Sequence, residues 1–306
     1  MSEKIKLRSM TGAPATGKTK IAVAVAAELN GEILSADSRQ VYRNMNIGTG
    51  KDIDDYSVNG KQIPYHLIDI IDSGYKYNVF EYQRDFHKAY EDVCNRKKQP
   101  VLCGGSGMYI EAAVNGYNMP EVPVNHKLRT ELEKQSDAEL VNFLASLKQL
   151  HNKTDIDTRK RLIRAIEIEI YKKGHAIEFT NYKHINNVYF GIIFDADTRR
   201  QRITERLEYR LKNGMIDEVK QLLEKISADD LIYYGLEYKF ITLYLVGKLT
   251  YDQMKQQLNI AIHQFAKRQM TWFRGMERRG AKINWIDGHL SVSEKVNIIK
   301  ESFLNS

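Results

Sequence analysis

"GAPATGKT", residues 12–19, lies between "KIKLRSM" (residues 4–10), which alternates like a strand, and the alanine-rich "KIAVAVAAELNG" (residues 20–31). The eight residues fit G-x-x-x-x-G-K-[ST]. In such a loop the backbone N–H groups wrap an anionic phosphate chain at a helix N-terminus, where the helix dipole assists. Gly12, Ala13, Pro14, Ala15, Thr16 and Gly17 would form the cradle, Lys18 would reach the terminal phosphates and Thr19 would place its hydroxyl on a bound Mg²⁺. The strand before and the helix after, closed by Gly31, are the context this motif requires. The loop specifies an oligophosphate without saying which one.

Working outward, "EILSADSRQVY" (32–42) predicts a second short strand ending near Ser35 to Asp37, and "PYHLIDII" (64–71) a third extended segment. Phe80, Phe86, Tyr90 and Val93 are spaced for a helix over 79–98, and "PVLCGGSGMY" (100–109) reads as a buried strand turning through glycines into another helix. This alternation predicts an α/β fold, a P-loop NTPase-like parallel sheet flanked by helices. Residues 117–186 carry polar helical patterns with few strand signals and predict a helical insertion domain. "NVYFGIIFDAD" (187–197) returns to the sheet, so the core would comprise 1–116 and 187–306, helical to about 275 with "INWIDG" (283–288) as a last strand.

The 306 residues allow a large core, and a charged fraction of 28% suits a globular chain. A net charge of +7 favours an acidic partner without identifying it. Cys94 and Cys103 lack the spacing of a zinc site or disulfide framework. No run approaches 18 apolar residues, and no charged-then-apolar signal opens the sequence, so no membrane association and a cytoplasmic location are expected.

Candidate carboxylates follow from the strand ends. A hydrolase or kinase would need an aspartate for its metal. Asp195 and Asp197 after the late strand, or Asp69 and Asp72 in "LIDIID", offer this role or a capping role. Asp37 follows the second strand, and in a doubly wound sheet such carboxyl ends surround the ligand crevice. Asp37 could therefore be a metal ligand, a general base or an Asx turn. In "CGGSGMY" (103–109) Ser106 could donate at a helix N-terminus, or the glycines could serve a packing turn.

"GAPATGKT", "ILSADSRQVYRNMNIGTGK", "PYHLIDI", "VLCGGSGMY" and "QFAKRQMTWFRG" together resemble, in this order, the motifs of the bacterial tRNA dimethylallyltransferase (tRNA isopentenyltransferase) family, from residue 12 to about 275. The resemblance implies transfer of a five-carbon prenyl group from dimethylallyl diphosphate to N6 of adenosine 37, beside the tRNA anticodon. It makes the loop a leaving-group clamp assisted by Lys18, Thr19 and Mg²⁺, Asp37 the general base, and Arg206 in "RRQRITERLEYRL" a diphosphate contact, with Arg202 one turn away in support. The target base would be flipped out of the anticodon stem-loop. Ser38, Arg39, Gln40 and Ser106 beside Asp37, with Arg129 and the basic face of Lys160, Arg161 and Arg164, would meet the RNA. A monomer is expected. In "YYGLEYKF" (233–240) the family's usual arginine is missing, whether Lys239 replaces it is left open by the sequence, and Tyr233, Tyr234, Tyr238 and Phe240 read as helix core. A nucleotide or small-molecule kinase, or an adenylate prenyltransferase acting on a free nucleotide, are the alternatives.

Overall fold

The computed structural model describes residues 7–150, 154–176 and 181–304. Two compact units emerge, one formed by the chain up to Tyr117 and from Tyr182 onward, the other by Asn118–Asn181.

The first unit opens with β1 (Leu7–Thr11), α1 (Lys18–Glu28) and β2 (Gly31–Ser35). Residues 4–6 of the expected first strand lie outside the described residues. A small hairpin of β3 (Ser57–Val58) and β4 (Lys61–Gln62) leads to β5 (Tyr65–His66). Then follow α2 (Val79–Asn95), β6 (Gln99–Cys103) and α3 (Gly107–Asn115). The expectation that Gly31 closes α1 is corrected: the helix stops at Glu28, Asn30 takes the left-handed turn (φ 50°), and Gly31 begins β2.

After the second unit the chain continues through β7 (Asn187–Ile193), to which the aligned strands attach in the order β5-β2-β6-β1-β7-β8, all parallel. The last strand, β8, is Ile283–Asp287. Every residue of β1 and β2 is buried. Neighbouring residues feed opposite faces, as a period of two requires. Leu34, Leu102 and Tyr189 enter one core, while Ile33, Val101 and Phe190 enter the other. Helices on both faces therefore cover a sheet whose strands read as continuous apolar runs. Because all six strands run the same way, the loops after β1, β2 and β6 leave from a single edge.

Tyr182 rejoins this unit before β7 begins. Its ring stacks on His87 at 4.0 Å, the Ile185 amide donates to the Val114 carbonyl at 2.9 Å, and Gln83 donates to the Tyr117 carbonyl at 3.0 Å.

The second unit is a small helical body of α4 (His126–Leu132), α5 (Asp137–Leu147) and α6 (Arg159–Gly174). Asn125, Ser136 and Thr158 cap the three helices with their side chains, Ser136 in a capping box with Glu139. Leu132, Leu140, Leu144, Leu162 and Ile166 form its core. Glu167 is 2% exposed and receives both Arg129 (2.7 and 3.0 Å) and Arg164, as well as the Asn125 amide at 2.7 Å. Burial pushes the Glu167 carboxyl up, but the two guanidiniums and the amide outweigh it and hold its pKa below the usual value.

A depressed carboxylate adds stability that is present above its unfolded pKa, about 4.3, and lost as pH falls through the folded value. Glu167→Gln should therefore cost the helical unit about 2–3 kcal/mol at neutral pH, the two arginines being only partly exposed. Hydrogen exchange in α4 and α6 reads the cost, and the gap between wild type and variant should narrow below pH ~4.

Candidate active site

Beyond β8 and the helices already named, the first unit carries α7 (Ala196–Lys212), α8 (Met215–Leu223), α9 (Ala228–Tyr233), α10 (Leu236–Leu245), α11 (Tyr251–Arg278) and α12 (Val292–Leu304). With the loops at the sheet's carboxyl edge, several of these enclose a cleft of about 1430 Å³.

The glycine loop lies at its base. Ala15 (φ 58°) and Gly17 (φ 77°) are both left-handed, and Gly17 precedes α1 without any side-chain cap. Alternating handedness of this kind turns successive amides to one side. Side chains occupy the carbonyls instead: Thr16 Oγ1 donates to Ala13 at 3.0 Å, Lys18 Nζ to Ala13 at 3.5 Å, and Arg202 Nε to Ala15 at 2.9 Å. Among the described residues no acceptor takes the amides of Ala15 to Lys18. Burial lowers the Lys18 pKa, Cys103 opposes that, Arg206 reinforces it, Asp37 opposes it and Arg210 reinforces it. A lysine in such surroundings gains from a polyanion. Burial pushes the Cys103 thiol up to about 11, so it stays protonated at neutral pH.

β2 delivers the next group. Asp37 lines the cleft, and its Oδ1 accepts the Arg39 amide at 2.9 Å in an Asx turn. No other bond to its carboxylate occurs among the described residues. Ser106 Oγ accepts the Ser38 amide at 3.1 Å and donates to Ser38 Oγ at 3.3 Å. Arg39 lies 5.4 Å from the centre of the Tyr233 ring. Gln40, expected to face the RNA, turns inward instead: it accepts from Ser35 Oγ at 3.0 Å and donates to the Gly50 carbonyl at 3.1 Å. Both ends of its amide are thus used within the fold.

The glycines of "CGGSGMY" are required by close approach. A side-chain carbon on Gly104 would lie 2.3 Å from the Ala36 carbonyl oxygen, and one on Gly107 would lie 2.1 Å from the Trp272 ring. Gln269 Nε2 donates to the Gly105 carbonyl at 2.7 Å, and Trp272 Nε1 donates to Glu111 at 2.8 Å. The α11 segment "QMTW" thus braces the loop after β6.

Arg202, Arg206 and Arg210 repeat at i+4 along one face of α7. Arg202 lies over the Phe194 ring at 4.7 Å, while Arg206 and Arg210 both bond Asp52, at 2.7 Å and at 3.0 and 3.1 Å. The other candidate carboxylates serve the fold. Asp195 caps α7 through the Asp197 and Thr198 amides, Asp69 pairs with Lys51, and Asp72 pairs with Arg43 at 2.8 Å. Tyr234 and Tyr238 are buried and Tyr233 and Phe240 pack partly buried against the same core, the reading expected for them, and Tyr233, Tyr234 and Tyr238 also line the cleft. Lys239 is exposed, its Nζ 5.3 Å from the Phe240 ring centre.

In the helical unit Arg129 and Arg164 are turned onto Glu167. Arg161 is 56% exposed and pairs with Asp157 at 2.8 Å, and Lys160 is exposed on the same helix.

Residues 40–276 match the family model described as IPP transferase. The chain belongs to that family. It is 57% identical to tRNA dimethylallyltransferase 2 of Bacteroides fragilis over 96% of this chain and 97% of that one. It is 58% identical to tRNA dimethylallyltransferase 1 of Parabacteroides distasonis over 95% of each. Among solved structures, the tRNA isopentenylpyrophosphate transferase of Bacillus halodurans superposes with a TM-score of 0.72 at 30% identity, covering 99% of this chain and 96% of the other.

Sequence reading of this IPP transferase missed four cleft-shaping groups. Lys51, fully buried, donates to the Tyr42 carbonyl at 2.6 Å and to Asn46 at 3.0 Å, and also pairs with Asp69. Glu218 accepts the amides of Asn46, Ile47 and Gly48 at 2.7–3.0 Å and the Tyr238 hydroxyl at 2.8 Å. Arg210 was legible as the next i+4 step after Arg202 and Arg206. Asp52 carried no such signal.

Gly104→Ala should force the β2 and β6 loops apart. A loss of about 1–3 kcal/mol in urea denaturation is expected, from overpacking against backbone, and the Asp37 turn should be displaced with it.

Proposed function

We infer that this IPP transferase moves the dimethylallyl group of dimethylallyl diphosphate to N6 of adenosine 37 in tRNA, next to the anticodon. The observation that carries the reading is the convergence of the phosphate-cradling loop, Arg206 and the Asp37 carboxylate on one cleft. Phosphoryl transfer asks for a further carboxylate directed at a metal, and Asp195 is committed to a helix cap.

The roles follow from the geometry. The amides of residues 15–18 and the cations Lys18 and Arg206 hold the diphosphate and stabilise the charge that grows on it as the C1–O bond breaks. The N6 lone pair forms the new bond to C1, and the N6 proton passes to Asp37. The Asx turn fixes one Asp37 oxygen on the Arg39 amide and leaves the other for the base. An aromatic amine is a weak nucleophile, so holding it against the carbon supplies much of the acceleration. The base reaches the cleft only after leaving its stack, and the exposed Lys160 and Arg161 suit contacts to the RNA backbone. A tRNA substrate implies a cytoplasmic reaction. Among the described residues no helix is long and apolar enough to cross a membrane.

Mg²⁺ fits the donors present. No group of three or more His, Cys, Asp or Glu side chains forms a metal cage among the described residues. A hard cation held mainly by substrate phosphates and water needs only one or two protein oxygens, here the Thr19 hydroxyl at the cleft wall. Bound there, it would neutralise charge on the departing diphosphate.

Transfer of labelled prenyl group into tRNA tests the reading. Asp37→Asn should lower kcat by about 10²–10⁴ with diphosphate binding retained. Wild-type protein that folds and leaves every tRNA unlabelled would refute it, and equal loss of donor binding in Asp37→Asn would reassign Asp37 to the metal.

A further inference from the structure

We propose that Arg210 is a second guanidinium of the diphosphate site, and that Asp52 is the positioning residue that sets Arg210 and Arg206 side by side. The proposal rests on the reading of the cleft as a prenyl-diphosphate site and adds two residues to it.

Arg206 and Arg210 are one turn apart on α7 and both line the cleft. Two guanidiniums so close repel each other, and one carboxylate holds them: Asp52 receives Nη2 of Arg206 and Nη2 of Arg210. Only the Nη2 atoms are engaged. Among the described residues neither Nε nor Nη1 of either arginine has a hydrogen-bond partner. A guanidinium presents its donors as a planar fork that matches phosphate oxygens. Each arginine therefore keeps donors for an anion while Asp52 fixes its direction.

The turn that carries Asp52 is shaped for this contact. Asp52 itself is left-handed (φ 40°, ψ 56°), a conformation uncommon for a residue with a side chain. Two residues earlier, Gly50 passes so near the guanidiniums that a side-chain carbon would lie 2.4 Å from Arg210 and 2.7 Å from Arg206. The Gly50 carbonyl is pinned by Gln40, which Ser35 at the end of β2 holds in turn. This accounts for the inward Gln40: it carries the register of the sheet edge to the arginine pair.

The surroundings of the pair are electrostatically coupled to the rest of the cleft. The Arg210 side chain is 11% exposed, and with Arg206 it shares a single aspartate. Burial lowers the Arg210 pKa and the neighbouring Arg206 adds to the effect, while Asp52 and Glu237 oppose it. Lys18, across the cleft, feels both arginines. Asp37 and Glu237 line the same cleft as these three cations, and the donors that Asp52 leaves open on the two arginines are the ones a diphosphate would take.

Inorganic diphosphate titrated by calorimetry, alongside Michaelis constants for donor and tRNA, tests the proposal. Arg210→Met should weaken diphosphate about tenfold or more and raise the donor KM to match, with the tRNA KM within about twofold of wild type. Asp52→Asn should raise the donor KM while largely keeping kcat, and should add little once both arginines are replaced. Should Arg210→Met not fold, Arg210→Lys keeps the charge without the fork and should still weaken diphosphate several-fold. Wild-type diphosphate affinity in Arg210→Met or Arg210→Lys overturns the proposal, as does a loss shared equally between donor and tRNA. Diphosphate binding that needs Arg210, in a protein that transfers no prenyl group, would uphold the paired arginines and remove the prenyl-transfer reading alone.

Discussion

The Ala36 amide donates to the Cys103 carbonyl at 2.8 Å, and the Gly104 amide donates to the Met10 carbonyl at 3.1 Å. These two bonds extend the parallel ladder just past the ends of β2, β6 and β1, and most of the cleft hangs on them. They bring the chain carrying Asp37 against the chain carrying Ser106, at a separation only glycine permits. The glycine loop leaves β1 at the same edge. A parallel sheet is costly to form because its contacts are distant in sequence. It repays that cost by placing the loops of three separate strands around one point.

Electrostatics divides the charged residues of the first unit into two kinds. Some are neutralised internally and act as struts: Lys51 with Asp69, and Glu32 with Arg96 and His66. Others gather around the cleft: Arg206 and Arg210 share the single carboxylate of Asp52, and Lys18 lines the same cleft with its ammonium on the Ala13 carbonyl. In the helical unit Arg129 and Arg164 belong to the struts, since the buried Glu167 engages both. The charge that this unit offers to solvent on α6 comes from residues such as Lys160 and Arg161.

Much of this was legible in the sequence. The β1–loop–α1 unit, the strand before Asp37 and the glycine turn into α3 announce themselves through hydrophobic period and glycine spacing, which are local signals. Ordered motifs identified the family, and the Asp37 and Arg206 positions came with it. The pairing partners were hidden for a physical reason. Glu167 sits in an ordinary-looking helix, and only the folded unit brings Arg129 beside it from 38 residues away. Gln40 lies in a polar stretch that suggests exposure, yet its amide finds Ser35 and Gly50 and turns inward. A sequence records which charges exist, while tertiary structure decides which remain unspent.

Glu218 bears on which run of amides an anion from solution could reach. Three successive amides, those of Asn46, Ile47 and Gly48, converge on its carboxylate. Such a run of N–H groups is itself an anion receptor, chemically akin to the loop at residues 12–19. With Glu218 serving as a built-in occupant, the receptor at 46–48 is satisfied from within the protein. A polyanion arriving from solution would have to expel a tethered competitor to bind there, whereas the glycine loop sets none against it. Of the two runs of amides, one is filled in advance and the other is left open.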